Sequence, residues 1–291
     1  MRQVAIAIFA LLLASVGRAQ DSTASKVLIP LIVTDSHKEL VSGLKPSSLV
    51  VSERKSAVTE IDLLHGLDLP LELGLLIDTS GSERDYGHMN EILAGAKDFV
   101  NHIVRGPEDR VFFLTFAATT QATAWLKKEQ LNGVSLDVKL GRGTALYDSL
   151  AMACKERMGP RDWNHPTRRV LVIISDGDDN LSHITRDEAV SQALMSGVVI
   201  FAVDTHIFGN PGRGDRVLAY WAKVSGGEFF AGFTPKEIPK TFSRVMALSE
   251  GTYFARYVPP ASNDRVHEVE VKAAPKEKLE ISYPRKYLWV R

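Results

Sequence analysis

Cysteine is almost absent from this 291-residue chain: Cys154 stands alone, so no intramolecular disulfide can form and the core must hold without covalent staples. Cys154 is expected to serve as a small buried apolar residue. Net charge is absent too, with 35 Lys and Arg against 35 Asp and Glu and no polybasic run, which removes the footprint by which nucleic acid or an anionic membrane surface is bound. The eight histidines show no His-x-x-x-His spacing, so the usual imidazole and thiolate zinc sets are missing. No Gly-x-Ser-x-Gly elbow occurs, which argues against a serine hydrolase. The one long apolar stretch, near the N-terminus, falls short of the ~20 residues a spanning helix needs.

That stretch reads as a targeting signal. Met1 to Gln20 has a positive start, a short apolar core and the small residues Gly17 and Ala19 before a polar segment, which predicts a secretory signal peptide cleaved after Ala19. No cysteine lies near the cleavage point, so lipid attachment there is not expected. The mature protein is then secreted or periplasmic, with no integral membrane span.

The remainder divides by pattern. Residues 20–69 read as β structure, with an extended run from Val27 to Thr34, a turn over Gly43 to Ser47, and short strands at Leu49 to Val51 and Ile61 to Leu64. Residues 70–250 alternate strands with helices, which predicts an α/β fold: a doubly wound, mostly parallel sheet flanked by helices. Its last helix is expected over Pro235 to Leu248. Residues 251–291 return to β structure, and the front and tail strands are expected to pair into one accessory β unit.

Against this background one set of oxygen-bearing residues stands out. Asp78, Ser80 and Ser82 follow the apolar run Leu73 to Ile77, and Asp176 follows Val170 to Ser175. Both runs read as strands buried on two faces. After Ser82, apolar residues from Met89 to Val104 recur every three or four positions, the stripe of an amphipathic helix. Thr144 precedes Leu146, Leu150 and Cys154 at four-residue intervals and is expected near the N-cap of a second helix. In open α/β sheets ligands bind beyond the carboxyl ends of the strands, where all three segments point. A hard divalent cation takes oxygen ligands, about six of them for Mg²⁺.

The set Asp78-x-Ser80-x-Ser82, Thr144 and Asp176 resembles the metal-ion-dependent adhesion site of the von Willebrand factor type A domain. The segments flanking it resemble those of bacterial secreted VWFA-related domain proteins. A Met commonly follows the second Ser in that family, whereas this chain has Glu83; the ligand positions themselves match. The resemblance implies that Ser80, Ser82 and Thr144 coordinate Mg²⁺, or Mn²⁺ or Ca²⁺, directly or nearly so, with Asp78 and Asp176 direct or through water. It also implies a vacant coordination position for an Asp or Glu carboxylate of a partner protein, and a last helix that shifts when the site changes ligands. The expected function is a secreted adhesion or assembly module and not an enzyme.

Two other readings compete, an enzyme and a structural protein. A phosphatase of the haloacid-dehalogenase type needs a second Asp two residues after Asp78, where this chain has Ser80. An aspartic protease needs two such carboxylates in an all-β fold. The remaining alternative is a structural ion that only steadies loops. Asp178, Asp179 and Glu83 are further acids near the set, His206 ends a strand at the same edge and is expected to hydrogen-bond its loop, and Arg213-Gly214-Asp215 spells an integrin-binding tripeptide that is expected to be an ordinary Gly-rich turn before a helix.

Overall fold

Unbroken apolar runs make the centre of the molecule. The computed structural model describes residues 26–81, 89–134, 141–205, 212–231 and 235–289. Strands β5 (Leu71–Asp78), β8 (Arg168–Ser175) and β9 (Val199–Asp204) are buried along their whole lengths. With β6 (Arg110–Phe116), β7 (Thr120–Ala122) and β10 (Phe229–Phe230) they form a six-stranded sheet in the order β10-β9-β8-β5-β6-β7. Every described pairing in it is parallel except β6 with β7. Such strands must be apolar on both faces because helices cover both.

Successive side chains of β5 feed two separate cores. Leu71, Leu73, Leu75 and Ile77 pack with α1 (Met89–Ile103) and α5 (Ile238–Glu250). Leu76 packs on the other face with α2 (Leu146–Met152), α3 (Arg186–Ser196) and α4 (Arg213–Ser225). Each fully buried Leu or Ile contributes about 1.5–3 kcal/mol relative to its exposed state. At Gly74 a β-carbon would lie 2.4 Å from Leu171 Cδ2 and 2.5 Å from Phe112 Cζ, so this position admits no side chain. Cys154 is fully buried in the second core, and burial pushes its thiol pKa up.

The second helix begins where the sequence suggests, with Thr144 next to its N-cap. Thr144 lies before the N-cap, which is Ala145, and no side chain of that residue caps the helix. The capping acceptors come from a distant loop: Tyr147 donates its backbone N–H to Asp179 Oδ2 at 3.0 Å, and Asp148 donates to Ser182 Oγ at 3.0 Å. Beyond Met152 the helix widens into a π-turn over Ala153–Met158. By contrast, Thr185 caps α3 locally, with a reciprocal bond between its backbone and Glu188.

Strands from the two ends of the chain build the rest. The first four are β1 (Val27–Thr34), β2 (Leu49–Glu53), β3 (Ser56–Ala57) and β4 (Asp62–His65). The last four are β11 (Tyr253–Tyr257), β12 (Val266–Ala273), β13 (Glu280–Ser282) and β14 (Lys286–Leu288). They mix into two four-stranded sheets, β13-β1-β11-β4 and β14-β12-β2-β3. Val27, Ile29, Leu31, Val51, Val269 and Val271 join in one core between them. The short strand β3 carries no strand signal of its own; it forms because it folds back on β2.

At the centre of that core lies Glu53, which is 0% exposed. Its Oε2 accepts hydrogen bonds from Tyr257 and Tyr287, both at 2.7 Å, and its Oε1 contacts His267 Nδ1. His267 Nε2 in turn donates to the Asp264 carbonyl at 3.1 Å. Burial, together with the carboxylate, pushes both tyrosine pKa values up.

Candidate metal centre

Three loops meet at the carboxyl edge of the central sheet because β5, β6 and β8 end there side by side. Asp78 closes β5 and is 1% exposed, while Asp176 follows β8 and is 3% exposed. Asp78 Oδ2 accepts from the Ser175 hydroxyl at 2.6 Å, and its Oδ1 accepts from the Ser80 backbone N–H at 2.9 Å. The Asp176 Oδ1 accepts from the Asp178 backbone N–H at 3.0 Å. Thr144 is buried; its N–H donates to Asn180 Oδ1 at 2.9 Å, and its carbonyl accepts from Asn180 and Leu181 N–H. Gly141 N–H reaches the Thr79 carbonyl at 2.9 Å, which ties the Thr144 loop to the Asp78 loop.

The structure therefore brings Asp78, Ser80, Thr144 and Asp176 to one edge. Ser82, Glu83 and His206 lie outside the described residues. Asp179 is occupied in the loop that caps α2, accepting also from the Ser182 hydroxyl at 2.6 Å. Asp178 is exposed. Ser175 and Asn180 belong to the site's support but escape sequence reasoning. Ser175 gives one faint signal, a hydroxyl ending an otherwise apolar strand; Asn180 gives none.

The electrostatics ask for a cation. Burial raises the Asp78 pKa from 3.8 to about 6, against the lowering effect of hydrogen bonds from Ser175 and Ser80, and neighbouring Asp176 adds repulsion. No Lys, Arg or His among the described residues pairs with either carboxylate. At the opposite edge of the sheet the buried Glu72 has its cation, Arg169, at 2.8 Å. Two buried carboxylates with hydroxyls beside them fit a hard divalent ion. Among the described residues no cluster of three or more His, Cys, Asp or Glu occurs, so hydroxyls must supply part of any shell.

The start of α4 presses against this edge. Gly177 has φ +75°, and a β-carbon on Gly214 would lie 2.1 Å from the Asp176 carbonyl oxygen. Both positions need glycine. Gly214 and Asp215 are buried, and Asp215 Oδ2 accepts from the Gly212 N–H at 2.8 Å, so the Arg-Gly-Asp tripeptide is part of a helix start and not a displayed loop.

No family model matches the chain, and no curated protein matches it in sequence. Among solved structures it is similar to proximal thread matrix protein 1 from the mussel byssus, in a form with a zinc-occupied MIDAS motif. That match has 20% identity and a TM-score of 0.53, over 69% of this chain and 50% of that one. A second structure of the mussel protein gives 18% identity and a TM-score of 0.50, over 76% and 50% of the two chains. The match thus spans about half of the mussel protein. The chain has the von Willebrand factor type A fold: a mostly parallel six-stranded sheet with helices on both faces, extended by antiparallel sheets. No helix of the described residues is long and apolar enough to cross a membrane.

Proposed function

We propose that the chain is a secreted metal-dependent protein-binding module, acting in adhesion or assembly, which captures an Asp or Glu side chain of a partner through a divalent cation. The observation that carries this reading is the pair of buried carboxylates, Asp78 and Asp176, set beside Ser80 and Thr144 without a cation among the described residues. Asp78, Ser80, Ser82, Thr144 and Asp176 are the proposed ligands, and Mg²⁺ is the proposed ion, with Mn²⁺ or Ca²⁺ as substitutes. Once bound, the ion supplies a Lewis-acid position for the partner's carboxylate.

The chain's own residues do the positioning. Ser175 and the Ser80 N–H fix the Asp78 carboxylate, the Asp178 N–H fixes that of Asp176, and Asn180 holds the Thr144 backbone. With two carboxylates among five ligand residues, the protein leaves room in the shell for an outside ligand. The zinc found in the mussel protein's motif makes Zn²⁺ a metal to include in the test. We place the signal peptide at 1–19, the metal-binding domain at 70–250, and the β segments at 20–69 and 251–291. Neither a second Asp at position 80 nor a hydrolase elbow is present, so no catalytic role is proposed.

Titration calorimetry with Mg²⁺, Mn²⁺, Ca²⁺ and Zn²⁺ is the direct test, with Asp78→Ala expected to weaken binding at least a hundredfold. Capture of an acidic peptide should be lost in EDTA. A purely structural ion would shift the melting temperature and leave peptide capture unchanged, and that result would sink the recognition reading.

A further inference from the structure

Beside the metal edge, a cavity of about 510 Å³ opens between the first turns of α3 and α4. Tyr147, Arg186, Asp187, Arg213, Arg216 and Val217 line it. Three cations thus face one anion, and that anion is already taken, because Asp187 Oδ1 accepts from Arg186 Nε at 3.0 Å. Arg186 also lies 4.7 Å over the Tyr220 ring, which holds it in place. Arg213 and Arg216 are exposed, and among the described residues neither forms a hydrogen bond or an ion pair. Two guanidinium groups three residues apart on one helix, unpaired among the described residues in a chain of zero net charge, form a local positive field.

The cavity is joined to the metal edge by direct contacts. Tyr147 donates its backbone N–H to Asp179, and Gly214, next to Arg213, packs on the Asp176 and Gly177 backbone. Asp179, Arg213, Arg186 and Asp178 all act electrostatically on the Tyr147 phenol, which places the two arginine charges, and two acids of the metal-edge loop, around the same space. The first turns of α3 and α4 add the positive ends of two helices.

We propose that this cavity is a second anion subsite, independent of the metal, and that the partner is an acidic protein segment with one carboxylate on the metal and another between Arg213 and Arg216. The proposal rests on the function proposed above for the partner's first carboxylate. Arginine suits the role because its planar fork matches a carboxylate's two oxygens. Two linked contacts raise affinity and select segments with several acids over isolated ones. The Arg-Gly-Asp tripeptide acquires a different meaning here: its Asp caps a helix, and its Arg is the part left for a ligand.

The test uses the full mature chain with Mg²⁺, and fluorescence anisotropy with three probes: hexaglutamate, a peptide with a single Glu, and a heparin-derived tetrasaccharide. Arg213→Ser with Arg216→Ser should weaken hexaglutamate binding at least fivefold and leave the single-Glu peptide unchanged. A control pair of equal charge loss, Lys223→Ser with Lys240→Ser, should change hexaglutamate binding less than twofold. Unchanged melting temperatures establish that both double variants fold.

Equal losses in the two double variants would show only a long-range field and overturn the subsite, as would no loss in the arginine variant. EDTA separates the two readings. If hexaglutamate binding survives EDTA but needs the arginines, the metal-dependent reading fails and the subsite stands. If EDTA abolishes binding and the arginines do not matter, the subsite fails alone. Tighter, arginine-dependent binding of the tetrasaccharide would overturn the choice of an acidic protein segment.

Discussion

Two buried carboxylate sites in this molecule solve the same problem in opposite ways. Inside the β-sandwich, Glu53 is surrounded by donors from its own chain: two tyrosine hydroxyls and a histidine ring. At the carboxyl edge of the central sheet, Asp78 and Asp176 share the burial and lack a cation among the described residues. The first is closed chemistry, and its business is holding two sheets together. The second has no cation of its own among the described residues, and its burial is costly to the charged form; the metal proposed above would relieve that cost. Burial of an acid is therefore not by itself a functional sign; the missing counter-charge is.

The largest effect should come from removing the closed site. Glu53→Ala strips the acceptor from three buried donors and is expected to cost about 3–5 kcal/mol, read by urea unfolding. A cost below about 1 kcal/mol would mean that the cluster is not the keystone described here.

Next comes the open site in metal-free protein. Asp78 has a folded-state pKa of about 6 against 3.8 for the ordinary side chain. A raised carboxylate pKa means that the folded state holds the proton longer. The Asp78 contribution to stability in EDTA, read as the difference between wild type and Asp78→Asn, should then be greatest below about pH 4 and fall by about 3 kcal/mol as pH rises to 6. Mg²⁺ should restore stability above pH 6. A flat profile in EDTA would erase the contrast between the two sites.

Gly214→Ala probes the join between α4 and the metal edge, where the new methyl would meet the Asp176 carbonyl at 2.1 Å. We expect a loss of about 2 kcal/mol, read by thermal unfolding, with weaker Mg²⁺ binding in calorimetry. The smallest change is Tyr257→Phe, which removes one of the two hydroxyls from Glu53. It should cost about 1 kcal/mol in urea and leave metal affinity unchanged.

The open site was more legible in the sequence than the closed one. Asp78 and Asp176 end apolar runs, and their positions follow from strand geometry that local pattern encodes. Ser80 and Thr144 could be attached to them through a known motif. Glu53 carries no such mark: it closes Leu-Val-Val-Ser-Glu as an ordinary strand-end acid, and its partner Tyr257 lies 204 positions away. The same long reach hid the capping of α2, whose acceptors Asp179 and Ser182 come from another loop. Arg213-Gly214-Asp215 misleads for a related reason, since sequence shows the tripeptide but not that Asp215 turns back to cap its own helix. The strands of the accessory unit were readable from alternation, as in β12, whose residues alternate exposed and buried. The partner of each strand was readable only in outline.

The pairing of the chain's two ends also imposes an order in time. β1 emerges first, yet its neighbours in the sheet, β11 and β13, are among the last segments to be made. The central sheet can close as soon as residues up to β10 are present, whereas β1 and β4 must wait for β11 through that whole interval, and β2 has only β3 to pair with until β12 is made. Long-range pairing of this kind is slow and leaves strand edges exposed. A chain cut short before β11 would leave β1 and β4 without their shared partner, so the sheet that the first strands begin is completed only by the last ones.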